Sequence, residues 1–292
     1  MSATSTASTA PVTDGGKSPA VTAAQRAARR RVALVWAGRI GLAVLVIGGW
    51  QAFTTWGLVD PFFFGQPSGI WQRLIDLFEH GTQFGSFYEN IWTTIQEALV
   101  GFVVGSLTGV VFGIALGQSR YLSDVLGPYI KMVNAIPRIV LGSIFIVAFG
   151  IGVTPKILLA AVLVFFIVFF NAFQGVREVD RNVLANVRVL GASQTQIIRH
   201  VVVPSALTWI IASLHSAFGF AIVGALVGEV LGSQSGLGLV IKTAQNNFDP
   251  NGVFATMLVI AVIVLGAEWL IGKLEHRLLS WRPPSASETN VL

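Results

Sequence analysis

The chain has 292 residues, 53% of them hydrophobic and 11% charged, with a mean hydropathy of +0.72, whereas soluble domains are about a quarter charged; a large water-soluble α-protein is excluded. It contains no cysteine, which removes disulfides, thiolate metal sites, iron–sulfur clusters and cysteine nucleophiles. The net charge of +5 comes from basic residues that flank apolar runs, so it reflects orientation in a lipid bilayer, and no nucleic-acid partner is expected.

Residues 1–31 open the chain with Ser, Thr, Ala, Pro and Gly and end in the basic cluster Arg26, Arg29, Arg30 and Arg31. Too few large apolar side chains are present to offset the entropy of ordering, and a disordered tail is expected. The run 32–56 follows. It is longer than a signal-peptide core and long enough to cross the hydrocarbon, so it reads as an uncleaved first span. Arg39 lies near its start and can snorkel to the interface.

The connection 57–95 is punctuated by Pro61 and Pro67. Ile70, Trp71, Leu74, Leu77 and Phe78 recur in it at helical spacing, predicting an amphipathic helix that lies on the membrane interface or packs on the bundle.

Five further apolar runs, 96–117, 138–150, 156–174, 206–231 and 253–273, bring the count to about six spans. The run 138–150 is short and extends back toward Tyr129 only across Pro137, which interrupts a helix. The expected architecture is an all-α polytopic bundle over 32–282, with a short tail, 283–292. With the N-terminus inside, cytoplasmic segments hold 14 Lys and Arg; the outside segments hold only Arg73, Lys156 and Lys242. This bias predicts that both termini are cytoplasmic.

Gly101, Gly105, Gly109, Gly113 and Gly117 recur at every fourth position of the second span. Each is offset by about 40° from the last, so they form a slowly turning groove into which a neighbouring helix can settle.

The segment 175–204 joins the fourth and fifth spans. Val183, Leu184, Val187 and Leu190 predict one short helix, Gly191-Ala192-Ser193 breaks it, and Ile197, Ile198, Val201 and Val202 predict another before Pro204. A cytoplasmic helix–turn–helix of this kind is a docking shape. The chain has no G-x-x-x-x-G-K-[ST] loop; in the nearest approach, Gly16-Lys17-Ser18, Pro11 stands where the leading Gly belongs. Any energy taken from ATP would have to arrive through contact with another protein.

This segment resembles the signature of the binding-protein-dependent ABC transporter permeases, which is a Glu-Ala-Ala triplet, three residues, a Gly, nine residues and a closing apolar-Pro. Gly191 matches the Gly, Val201-Val202-Val203-Pro204 matches the ending, and Ala185-Asn186-Val187 stands in place of the triplet, without its Glu. The resemblance runs over 61–282 and is strongest to the sulfonate, nitrate and taurine branch. It is carried by Ala135-Ile136-Pro137-Arg138, by Phe149-Gly150-Ile151-Gly152 with Pro155-Lys156, by Glu229 with Gly236-Leu237-Gly238, and by Trp281. Glu97, where many relatives carry Arg, and Ser143, where many carry Pro, are departures.

The resemblance implies a type I importer permease for a small anion. Two copies, or this chain and a close relative, would form the path, two ATPase subunits would bind ATP and magnesium below it, and a solute-binding protein would deliver from outside; the chain itself would be no enzyme and hold no cofactor. The loop contacts would come from Ala185, Asn186, Val187, Arg188, Gly191, Ala192, Ser193, Gln196 and Pro204. Candidate pathway residues are Arg138, Ser213, His215, Ser216 and Glu229, because polar groups inside spans usually face the bundle interior. Glu97 and Glu268 are further ionisable residues in or beside spans. The four histidines, His80, His200, His215 and His276, have no metal-ligand spacing. The alternatives are an ATP-independent secondary transporter or channel, for which the sequence offers no inverted repeat, and a membrane enzyme, for which it offers no catalytic constellation.

Overall fold

The computed structural model describes residues 19–278. Residues 1–18 of the expected tail, the terminal Trp281 and the tail 283–292 lie outside the described residues. Apart from a single bridge between Thr82 and Gly85, the described residues form helices and connections.

Helix α1, Pro19–Thr55, begins well inside the expected tail. The reason lies in its first turns: Pro19 takes the first helical position, where its missing N–H costs nothing, and Ala20, Ala23, Ala24, Ala27 and Ala28 are the strongest helix formers. The 27 residues Arg29–Thr55 are long and apolar enough to span.

From Phe53 onward the described residues form a compact unit of their own. Here α2, Pro61–Phe64, is capped by Asp60, whose side chain accepts from Phe62 N–H. Helix α3, Pro67–His80, buries Ile70 and Leu77 and leaves Trp71 exposed, so the amphipathic helix expected here packs on the bundle. Arg73 Nε donates to Asp249 Oδ2 at 2.9 Å, and Gln66 N–H donates to Asn251 Oδ1 at 3.0 Å, tying α3 to the start of α12, Pro250–Leu278.

The core is built on α4, Phe87–Gln118, and α7, Thr154–Arg177. All five ladder glycines face α7. A β-carbon on Gly101 would lie 2.5 Å from that of Ala160, one on Gly113 2.7 Å from that of Ala172, and one on Gly117 2.8 Å from that of Val176. Helix α10, Val203–Leu231, closes on the other side of α7, where Gly224 approaches the backbone of the same Ala160. Ala98, Val164, Val168, Ala217, Phe218, Ala221, Ile222 and Ala225 are buried in the seam between these three helices.

The third expected span differs in shape. Helices α5, Arg120–Asn134, and α6, Arg138–Phe149, meet at 85° around Pro137. Pro137 disfavours the α conformation at Ile136 and cannot donate to a preceding turn, so the chain bends sharply instead of continuing. Among the described residues five helices are long and apolar enough to span, and six if the bent pair is one.

Candidate functional site

Segment 175–204 is ordered by local chemistry. Helix α8, Arg181–Val189, starts at Asp180, whose side chain accepts from Asn182 N–H at 2.8 Å. It ends in a Schellman motif: Ala192 N–H bonds Val187 O at 3.2 Å, Gly191 N–H bonds Arg188 O at 3.0 Å, and Gly191 has φ +82°. Glycine is needed there because a Cβ strains the left-handed region. Ser193 then opens α9, Gln194–Ile197, with a capping box: its Oγ accepts from Gln196 N–H while Gln196 Oε1 accepts from Ser193 N–H.

The expected second helix does not end before the fifth span. It passes through a π turn, Ile198–Val202, directly into α10, with Val203 N–H bonded to Ile198 O. Pro204 lies at the start of α10. In continuous α geometry its ring would collide with the carbonyl four residues back, and the wider turn relieves that clash.

Helix α8 has two faces. Leu184 and Val187, with Ala192, pack on the buried cluster of Ala172, Val176, Val179, Ile197, Val202, Ala206 and Ile210. The opposite side carries Ala185, Asn186 and Arg188, none of them buried, and the tip carries Val189 and Leu190, 87% and 85% exposed. Gly191, Ser193 and Gln196 are exposed beside it. Among the described residues this is an ordered, solvent-facing element with apolar side chains at its tip.

The pathway candidates do not converge. Arg138, at the bend before α6, is exposed and donates to Asn134 Oδ1 at 3.2 Å. It lines a groove of about 420 Å³ with Ile139, Leu159, Leu163, Phe220 and Val223, in which it is the charged member. Ser213 is buried and donates to Ile210 O of its own helix at 2.6 Å, while Ser216 is exposed. His215 Nε2 stands 2.7 Å from Glu275 Oε2, pairing α10 with α12. Glu268 is exposed on α12.

Glu229 has a structural task instead. It is fully buried; Oε1 accepts from Thr94 Oγ1 at 2.7 Å and Oε2 accepts from Gly238 N–H at 2.6 Å. Leu237 N–H donates to Thr94 Oγ1 at 2.8 Å, and Gly236 N–H donates to Asn90 Oδ1 at 2.7 Å. The Gly236-Leu237-Gly238 turn and α11, Leu237–Asn246, are thereby locked onto α4 and α10. A β-carbon on Gly236 would strike the Glu229 carboxylate. Beside this lock, Glu97 Oε1 lies 3.5 Å from Lys156 Nζ, both side chains buried, and Lys156 also donates to Ile151 O at 3.3 Å.

Sequence reasoning placed Glu97 at a span end and Lys156 in an outside loop; the structure puts both inside the bundle. Opposite charges at the ends of the second and fourth spans were the available signal, since a charge withdrawn from water requires a partner. Asn90 and Thr94 carried no such signal, because what they hold in the turn are backbone amides about 145 residues away.

The model of the binding-protein-dependent transport system inner membrane component family matches residues 105–280. A protein of Bacillus subtilis (strain 168) named as an aliphatic sulfonates transport permease, SsuC, is 32% identical over 85% of this chain and 88% of its own length. The riboflavin transport system permease protein RibX of Chloroflexus aurantiacus is 29% identical over 83% and 90%. In structure, an inward-facing MetNI methionine ABC transporter chain aligns with TM-score 0.57 and 19% identity, over 66% of this chain and 94% of that one, a likeness of fold. Since the family model covers more than half of the chain and a relative 32% identical aligns over 85% of it, this chain belongs to the binding-protein-dependent transport system inner membrane components, the permease subunits of ABC importers.

Proposed function

We propose that the chain pairs with a second copy to form the translocation path for a small anionic solute, and that residues 175–204 seat on a separate ATPase. In this reading both termini are cytoplasmic, two ATPase subunits bind ATP and magnesium, and an external solute-binding protein supplies the substrate. The observation that carries it is the two-faced α8. Its buried face fixes it to α7 and α10, and its tip holds Val189 and Leu190 in solvent, where apolar side chains are stabilised only by a partner. A rigid element of that kind converts motion of the partner into motion of the spans on either side.

Support for an anion comes from Arg138, a cation in an otherwise apolar groove, and from a relative named for aliphatic sulfonates. A groove of that composition suits a charged head with an apolar body. The relative named for riboflavin marks how widely solutes vary among similar chains.

The test is reconstitution of the chain in vesicles with and without a co-expressed importer ATPase and solute-binding protein. ATP-driven uptake of an aliphatic sulfonate is expected, with none from the chain alone under an ion gradient. Replacing Val189 and Leu190 with Asp should abolish co-purification of the ATPase while the bundle still inserts. Uptake without ATPase, or undiminished co-purification, overturns the proposal.

A further inference from the structure

At the end of the bundle that carries the 175–204 loop, a groove of about 530 Å³ lies between α5 and the last turns of α4 and α7. Its floor is aromatic. Phe169 and Phe173 stack with centroids 6.0 Å apart, and Phe170 meets Phe169 edge-on at 5.2 Å. Its rim is charged, with Lys131 from α5 and Arg177 from α7 against one carboxylate, Asp124. Arg177 is held in place twice over: its guanidinium lies 4.6 Å from the Phe173 ring centre, and it donates to Ser123 Oγ at 3.0 Å. Gly127 leaves the wall open, since a β-carbon there would meet nothing within 4 Å.

We propose that this groove binds one anionic phospholipid, with its phosphate between Lys131 and Arg177 and an acyl chain along Phe169 and Phe173. The two halves of the groove ask for different chemistry. An aromatic floor at the end of a spanning helix suits hydrocarbon, and a guanidinium pinned by stacking suits a phosphate, whose oxygens match its fork of donors. The two cations outnumber the carboxylate, so an anionic head is favoured over a zwitterionic one. Asp124 adds an acceptor for a hydroxyl-bearing head such as glycerol. A water-soluble anion would leave the phenylalanines uncovered. The proposal rests on the chain spanning a membrane and not on which solute it carries.

Native mass spectrometry of the purified full chain tests it, with phosphatidylglycerol and phosphatidylcholine of the same acyl chains as probes and glycerol phosphate as a headgroup control. Wild type should retain phosphatidylglycerol about tenfold better. Replacing both cations, Lys131→Gln with Arg177→Gln, should reduce that preference to near unity. Gly127→Leu keeps every charge and fills the groove, and should lower retention of both lipids. Equal retention of the two lipids by wild type, an unchanged preference in the double variant, or glycerol phosphate competing as well as the whole lipid would each overturn it. Neither an ATPase nor a transported solute enters the assay, so its failure leaves the importer assignment standing.

Discussion

Gly101 of α4 and Ala160 of α7 approach so closely that a β-carbon on the glycine would lie 2.5 Å from the alanine's own. On the far side of the same alanine, Gly224 of α10 comes equally near, with 2.5 Å from its notional β-carbon to Ala160 Cα. Ala160 is therefore held between two glycines, and three helices meet at one small residue. In lipid, where apolar side chains gain nothing by leaving solvent, such close approach is the main source of helix association.

The first prediction follows. Gly101→Leu should lower the stability of the detergent-solubilised chain by about 1–3 kcal/mol, the usual cost of overpacking. Gly266→Ala, where a β-carbon meets nothing within 4 Å, should be neutral or slightly stabilising. Thermal unfolding of the two variants beside wild type is the measurement. Equal melting of all three would show that the seam is not close-packed.

Gly191 makes a conformational prediction. At φ +82° it has space for a side chain but not the backbone freedom for one. Gly191→Val should cost about 1–2 kcal/mol locally, unwind the Schellman turn and weaken ATPase capture. Gly191→Asn should retain most capture, because Asn visits the left-handed region readily. Equal capture by the two variants would remove the turn from the docking argument.

Glu229 makes a hydrogen-bonding prediction. The carboxylate accepts from both Thr94 and Gly238, whereas the Gln amide offers a single oxygen. In Glu229→Gln the amide oxygen keeps Gly238 N–H and the Thr94 hydroxyl must turn to the longer bond with Asn90 O, so the lock should weaken by about 1 kcal/mol. Hydrogen–deuterium exchange is the sharper readout: amide exchange at 236–238 should accelerate in Glu229→Gln while that of α7 stays unchanged. Uniform acceleration would indicate general destabilisation in place of a local lock.

Arg138 makes a functional prediction. Arg138→Gln should reduce uptake of an anionic solute about tenfold or more while ATPase activity in the reconstituted complex persists; Arg138→Lys should recover part of the uptake by restoring the charge without the fork. Parallel assays of uptake and ATP turnover check it. Loss of both activities in Arg138→Gln would make the residue structural.

What could be read from the residues and what could not divide along a physical line. Spans are legible because an apolar run of that length is stable in lipid and costly in water, and α4, α7, α10 and α12 lie where the runs are. The glycine register marked a packing face without a partner, since one helix's pattern does not name the helix that fills it. The loop was legible as two short helices broken at Gly191, but its continuity with α10 was not. Pro204 reads as a stop until the π turn is seen to accommodate it. The lock around Glu229 was illegible for a different reason. It joins Asn90 and Thr94 to backbone amides of 236–238, and backbone donors leave no mark in a sequence.

The π turn at Ile198–Val202 holds the loop to α10 by counting. It accommodates one residue more than an α turn between the same bonds, and one residue of a helix corresponds to about 100° of rotation. Deleting any single residue there, whatever its side chain, would let the segment relax to α winding. The loop would then be turned by about a quarter of a circle about the α10 axis, with each side chain of its exposed tip intact but facing a different direction.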